Sequence, residues 1–463
     1  MEVHLIIPFM NLISTTTDRT LSLPYGEAAY KVVEALTDKG FDTWWVGGGV
    51  REMLRGVVPK DIDIATAALP AEIAETFPKT DMKGSEFGST RVSLGSFTFE
   101  VTTFREDDTA SDGRHPEAVS FGTREKDAAR RDFTVNAIYF HPVSRQIFDP
   151  YEGVMDLKER LVRFIGAPGI RIKHDALRML RAVRLRTLLE GQYHPETYRA
   201  LLELAPTIEV LSGFRIFEEL EKLLKLLHAD RGLEDLWELR ILHVVLPELA
   251  DCKGVAQPMQ YHHEGDVWNH LLACVHAARD EDSIDVRIAA LFHDCGKAKT
   301  FGMDSERIRF DEHATVSADL TAKALDRLQC PARRRDKIVW LIRHHMMMGA
   351  FFDMPEERKG HWYFHPWFPE LLAVFYLDIA GTDPADFSLY EKILQDMHAY
   401  LDRHPRPAKP LLTGDDVMAL LGIEAGEEVG KILKSLHDAQ TRGEIQTKGE
   451  AKEFLRAHYR QGS

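Results

Sequence analysis

A chain of 463 residues exceeds a single hydrophobic core and divides, on ordinary domain sizes, into about three domains. A formal net charge of −15 argues against general nucleic-acid affinity across the whole surface, so any RNA-binding face has to be local. No apolar run is long enough to cross a membrane, and the four cysteines show no CxxC pairing and fit free thiols in a reducing cytoplasm.

Met1 to Ile13 is apolar but interrupted by Pro8 and Asn11 and lacks a basic start, so it reads as a ragged extension, or a start at Met10, rather than a signal peptide. Ala28 to Leu36 has apolar residues at helical spacing and stops at Gly40. Trp44 to Val46 reads as a short strand halted by Gly47-Gly48-Gly49. Glycines let the backbone turn tightly and approach a bound group, with amides left free for phosphate oxygens. Val50, Met53 and Leu54 then recur at helical spacing. A helix is expected to open at this turn, where anions are favoured and Arg51 adds a positive fork for a triphosphate.

Asp61-Ile62-Asp63-Ile64 alternates as a strand does, with both carboxylates on one side. Two like charges on one face repel unless a cation sits between them. Oxygen ligands of this kind suit Mg²⁺, which binds through one or two carboxylates plus substrate phosphates. A glycine turn beside such a pair points to nucleotidyl transfer. The plainer alternative is a strand, turn and helix with a solvated acidic face.

Ala71 to Phe77 reads as a short helix, and Arg91 to Thr103 as a strand pair joined around Gly95-Ser96. Alternation in Phe99-Glu100-Val101-Thr102 offers Glu100 as a third carboxylate. Glu106 to Pro116 is polar and reads as a mobile loop near the site. In the segment Arg130 to Ile138, adjacent arginines suit phosphate and ribose oxygens, and Asn136 suits a sugar hydroxyl. From Arg160 to Arg186 there are eight Lys or Arg residues and one acid, Asp175. Leu177, Leu180, Val183 and Leu185 form an apolar stripe, while Arg178, Arg181 and Arg184 recur on another face. Asp175 and Arg178, expected as neighbours on one helix face, form either an ordinary ion pair or a base reader. A carboxylate accepts from the exocyclic amine of cytosine or adenine, and a guanidinium donates to the adjacent ring acceptor.

The motifs VGGGVRE (46–52), DIDIAT (61–66), FEVTTFR (99–105), DGRHPEAV (112–119), RRDFTVNAI (130–138), DPYEG (149–153) and DALRMLRAVR (175–184) resemble the class II tRNA nucleotidyltransferases, the CCA-adding enzymes, and their relatives the bacterial poly(A) polymerases. The resemblance covers residues 25 to about 225. It implies an α+β, polymerase-beta-like nucleotidyltransferase head (25–155) followed by all-α neck (156–250), HD (251–400) and tail (411–463) domains. It further implies that Gly48 and Arg51 hold the triphosphate, Asp61 and Asp63 hold Mg²⁺, and Arg131 contacts the nucleotide. Asp175 and Arg178 become the protein template that selects CTP and then ATP, with Arg181 and Arg184 as further phosphate contacts. Two positions depart from the family pattern: Glu52 and His174 stand where it has Asp and Glu.

Beyond about residue 245 histidines become frequent. His270, His293, Asp294 and Asp378 come from separate apolar helical segments, and imidazoles and carboxylates gathered this way suit a divalent transition metal. The ordered set resembles the H…HD…D signature of HD phosphohydrolases, in which His313 and His344 fall where binuclear members place extra ligands. His404 to Pro410 is too proline-rich for a helix and reads as a linker. Leu411 to Leu455 resembles the family's tail, which grips tRNA; a small helical unit packed on the HD domain is the alternative.

The expectation is a cytoplasmic enzyme that adds C and/or A to tRNA 3′ ends from CTP and ATP. Its rivals are a CC-only or A-only partial enzyme, a poly(A) polymerase, and, in another class, a phosphohydrolase whose head only binds RNA. The sequence leaves the oligomeric state open.

Overall fold

The computed structural model describes residues 14–106, 120–304, 307–404, 410–441, 444–445 and 447–459. Met1 to Ile13, the polar loop after Glu106 and the proline-rich residues 405–409 lie outside the described residues. The chain divides into two compact units, residues 1–250 and 251–463.

After a helical segment at residues 14–21, the first unit continues with α1 (Pro24–Asp38). Pro24 fits the first helical turn, and Ala28, Ala29, Val32, Val33 and Leu36 are buried along one stripe. β1 (Thr43–Val46) is buried throughout, as its Thr-Trp-Trp-Val run demands. α2 (Gly48–Leu54) follows at once, entered through Gly47 with φ +76°, a conformation glycine alone adopts freely. β2 (Asp63–Thr66) runs back antiparallel to β1, placing Asp63 opposite Val46. β3 (Thr80–Asp81), β4 (Ser89–Leu94), β5 (Phe97–Thr103), β6 (Tyr139–His141) and β7 (Gln146–Phe148) complete a seven-stranded sheet. Its order is β3-β4-β5-β2-β1-β6-β7. β5 lies parallel to β2 with Ile64 opposite Val101, both buried. By strand alternation Asp63 and Glu100, one residue earlier in each strand, turn the other way together.

Helices follow the sheet: α3 (Pro168–His174), α4 (Leu177–Leu189), which buries Met179, Leu180, Ala182, Val183 and Leu185, and α5 (Gly213–Leu224).

Among its described residues the second unit is helical apart from one pair of strands, Phe301–Asp304 with Arg307–Phe310. Its helices include α6 (Val267–His276), α7 (Ile284–Phe292), α8 (His313–Arg327), α9 (Ala332–His344) and α10 (Phe368–Ala380). α7 is buried from Asp285 to Phe292, so its polar end at His293-Asp294 is delivered into the interior. Three tail helices, α11 (Gly414–Leu421), α12 (Glu427–Thr441) and α13 (Lys448–His458), share a core of Leu412, Val417, Ile432, Leu436, Ala451 and Leu455. Thr413 with Asp416 and Thr447 with Glu450 form capping boxes on α11 and α13. No helix among the described residues is long and apolar enough to cross a membrane.

Candidate functional site

A cleft of about 760 Å³ in the first unit is lined by Gly48, Arg51, Asp61, Asp63, Glu100, Arg131, Asp175, Arg178, Arg181 and Arg184; His174 is not among its lining residues. At its floor, Asp61, Asp63 and Glu100 converge. Burial, and then the charges of Asp61 and Glu100, push the Asp63 carboxyl up to about 6. Three hard oxygen donors that repel one another fit a hard divalent cation such as Mg²⁺. The glycine turn is pressed against this floor. A Cβ on Gly49 would lie 2.6 Å from the Asp61 carbonyl oxygen, and one on Gly47 would lie 3.2 Å from Asp63 Oδ2.

The arginines of the cleft are held by neighbouring side chains, Asn136 and Glu52 among them. Arg51 Nη1 donates to Asn136 Oδ1 at 2.5 Å and its Nε to Glu52 Oε1 at 3.1 Å. Asn136 in turn donates to Asp132 Oδ1 at 3.2 Å, while Asp132 Oδ2 pairs with Arg181 at 2.6 Å. Arg131 Nη2 donates to Asp127 Oδ2 at 3.0 Å and its Nε to the Tyr139 hydroxyl at 3.0 Å. Burial works against the charge on Arg131, yet Tyr139 and Asp127 outweigh it and hold its pKa above the usual value. Arg184 Nε donates to Glu219 Oε2 at 2.7 Å, and Lys222 Nζ to Glu219 Oε1 at 2.9 Å.

Asp175 and Arg178 both line the cleft, but not as neighbours on one helix. Asp175 caps the end of α3 with extended backbone, φ −152° and ψ 103°, and the chain breaks there before α4. Its Oδ1 accepts from the Leu177 amide at 3.1 Å, and both carboxylate oxygens accept from Arg215 Nη2 at 3.1 Å. Arg178 Nη1 donates to the Arg171 carbonyl at 2.9 Å. The partner of Asp175 is thus Arg215 on α5, forty residues on.

In the second unit, four imidazoles meet. Each is held through Nδ1: His270 by Glu264 Oε1 at 3.1 Å, His293 by the Ala290 carbonyl at 2.8 Å, His313 by the Phe310 carbonyl at 2.8 Å, and His345 by the Ile342 carbonyl at 2.7 Å. An imidazole that donates from Nδ1 and stays neutral carries its lone pair on Nε2. Those lone pairs face each other and two carboxylates. His270 and His293 Nε2 are 3.3 Å apart and lie 3.2 and 3.4 Å from Asp378 Oδ1. His313 Nε2 is 3.3 Å and His345 Nε2 3.7 Å from Asp294 Oδ1. Asp294 Oδ1 and His313 Nε2 are buried without a hydrogen-bond partner. Acceptors that converge in a buried space need a cation between them, so the donor set fits a divalent metal.

His344 is not part of this cluster. Its Nδ1 bonds the Trp340 carbonyl at 2.7 Å and its ring lies 4.6 Å from that of Trp340 and 5.4 Å from that of Trp362. His345 takes the position expected for it. The helical phase carried this signal: Ile338, Leu341 and Ile342 are the buried residues of α9, and His345 continues their i, i+3, i+4, i+7 stripe. Glu264, which orients His270, lies in a segment with no periodic signal.

Residues 43–163 match the Poly A polymerase head domain, 192–253 the probable RNA and SrmB-binding site of polymerase A, and 261–399 the HD domain. The head and HD families are metal-dependent. An A-adding tRNA nucleotidyltransferase of Deinococcus radiodurans is 32% identical over 433 residues, which span 89% of this chain and 94% of that one. A CC-adding tRNA nucleotidyltransferase of Thermus thermophilus is 33% identical over 440 residues, spanning 89% and 93%. The crystal structure of the Bacillus stearothermophilus CCA-adding enzyme in complex with CTP superimposes with a TM-score of 0.67 at 26% identity, covering 94% of this chain and 98% of that one. Because these likenesses run through the carboxylate cleft and the histidine cluster alike, the chain belongs to the class II tRNA nucleotidyltransferase family, in a form that carries an HD domain.

Proposed function

We propose that the carboxylate cleft extends tRNA 3′ ends with C and/or A, taking CTP and ATP as donors, in the cytoplasm. The terminal ribose hydroxyl attacks the α-phosphate and pyrophosphate leaves. The observation that carries this reading is the convergence of Asp61, Asp63 and Glu100 with the arginine-lined wall in one cleft. Asp61, Asp63 and Glu100 would hold Mg²⁺, which when bound stabilises the leaving group and favours ionisation of the attacking hydroxyl. Gly48 and Arg51 take the triphosphate, and Glu52 and Asn136 keep the Arg51 fork aimed. Arg131 contacts the nucleotide from a position fixed by Asp127. Asp175 and Arg178 read the base edge, and Arg181 and Arg184 add phosphate contacts.

On this reading residues 25–155 form the head, 156–250 the neck, 251–400 the HD domain and 411–463 a tail that contacts tRNA. His270, His293, Asp294 and Asp378, with His313 and His345, would hold a divalent transition metal, which would supply phosphoester hydrolysis.

The test is 3′-end sequencing of tRNA transcripts ending at the discriminator base, at C and at CC, after incubation with protein, Mg²⁺, CTP and ATP. Growth of all three to CCA identifies a complete enzyme; stopping at CC, or extending only the CC transcript, identifies a partial one. Asp61→Ala is expected to abolish addition and leave tRNA binding largely intact. Near-normal extension by that variant would overturn the assignment.

A further inference from the structure

We propose that Cys274 is a thiolate ligand at the HD cluster, completing with His270, His293 and Asp378 a donor set selective for a thiophilic divalent ion such as Zn²⁺ over Mg²⁺ or Mn²⁺. The inference rests on reading the cluster as a metal site and adds a donor outside the H…HD…D pattern. Cys274 lies four residues after His270 on α6, which puts both side chains on one helix face, and both are fully buried. Its Sγ is 3.5 Å from His270 Nε2. The donor atoms of His270, Cys274, His293 and Asp378 all lie within 4.8 Å of one another. Gly381, just past α10, lets the backbone pack directly on this residue, since a Cβ there would lie 2.4 Å from the sulfur.

The separations between these donors fit a tetrahedral ion. Four donors around a tetrahedral first-row ion, with bonds of about 2.0–2.1 Å to nitrogen or oxygen and about 2.3 Å to sulfur, stand roughly 3.3–3.6 Å apart. Four of the six edges are 3.3 Å between the two imidazole nitrogens, 3.2 and 3.4 Å from those nitrogens to Asp378 Oδ1, and 3.5 Å from sulfur to His270 Nε2. Asp294 Oδ2, 3.7 and 3.5 Å from the same two nitrogens, stands beside this set as a further donor. A thiol hydrogen bond to His270 is the competing account. It supplies one proton to a nitrogen that also faces His293 Nε2 and Asp378 Oδ1, so two acceptor contacts stay unanswered. Independently, the buried Asp294 Oδ1 in the same cluster has no hydrogen-bond partner.

Coordination breaks the S–H bond, forms a sulfur–metal bond and releases the proton to solvent. A soft thiolate then weights the site toward zinc or cobalt and away from the oxygen-seeking ions that suit the head.

The test is a Co²⁺ titration of metal-stripped full-length protein, read by absorbance. The expected result is a near-ultraviolet thiolate-to-cobalt charge-transfer band together with visible d–d bands. Cys274→Ser should lose the near-ultraviolet band and keep the visible ones, whereas Cys330→Ser should keep both. Zn²⁺ should displace Co²⁺ from the wild-type protein, with a preference over Mn²⁺ that shrinks about tenfold or more in Cys274→Ser. Visible bands without the charge-transfer band in the wild-type protein would overturn the role of Cys274 and leave the metal site standing. Absence of both would overturn the two together. The wild-type spectrum decides the matter even if Cys274→Ser fails to fold. A charge-transfer band that survives in a folded Cys274→Ser protein would also refute the proposal.

Discussion

Asp63 shows how far one side chain's chemistry is set by its neighbours. Burial, Asp61 and Glu100 raise its carboxyl from 3.8 to about 6, so the folded, metal-free protein binds that proton more tightly than the unfolded chain does. The resulting contribution to stability is present below about pH 4 and lost as the pH rises through about 6. Thermal unfolding without metal at pH 5 and pH 7 should show this slope, and Asp63→Asn should flatten it. Mg²⁺ binding in the cleft requires the ionised form, so affinity should fall about tenfold per unit below pH 6. A second residue, Arg215, acts through another: it holds the carboxylate of Asp175. Losing a charged hydrogen bond costs about 1.5–3 kcal/mol, so Arg215→Ala should relax discrimination between CTP and UTP by about 10- to 100-fold. Arg215→Lys should restore part of it. If competition assays show unchanged discrimination and only thermal stability drops, Arg215 is structural.

The glycine turn and the acidic strand work as one element because nothing separates them. Gly49 sits so close to Asp61 that an added methyl would meet the Asp61 carbonyl oxygen at 2.6 Å and Ile62 Cα at 3.4 Å. Gly49→Ala should cost about 1–3 kcal/mol through overpacking, and the strain should displace the carboxylates. Calorimetry should record the lower melting temperature, and a Mg²⁺ titration of nucleotide addition should shift to higher concentration. Unchanged Mg²⁺ dependence would mean α2 yields instead of Asp61. This element was legible in sequence because every part of its signal is local: a β-rich Thr-Trp-Trp-Val run, three glycines, and alternation through Asp61-Ile62-Asp63-Ile64. What held the arginines was not legible. Arg184 and Glu219 are 35 residues apart, Asp175 and Arg215 are 40, and an acid and a base that distant share no periodicity. The break between α3 and α4 has no proline or glycine to announce it, only the side chain of Asp175 turned onto the Leu177 amide. His345 was legible through helical phase, yet the adjacent His344 fits the spacing of a motif equally well.

At the scale of the whole chain, two compact units each carry a cluster of candidate metal donors: carboxylate oxygens in the first, imidazoles and carboxylates in the second. Sites that share no ligands and lie in separate units should respond independently. Asp61→Ala should abolish nucleotide addition and leave Co²⁺ binding at the histidine cluster intact, while His293→Ala should do the reverse. The same division bears on unfolding. A ligand that binds only the folded form stabilises it by about 2.7 kcal/mol at one hundred times its dissociation constant. Zn²⁺ bound at the histidine cluster should therefore raise the stability of residues 251–463, and a chelator should remove that increment. Scanning calorimetry should resolve two transitions, of which only one moves between Zn²⁺ and chelator, and His293→Ala should pin that transition at its chelated position. A single transition that moves as a whole would mean that the two units unfold as one cooperative body; in that case zinc at the histidine cluster would also stabilise residues 1–250 and the carboxylate cleft they carry.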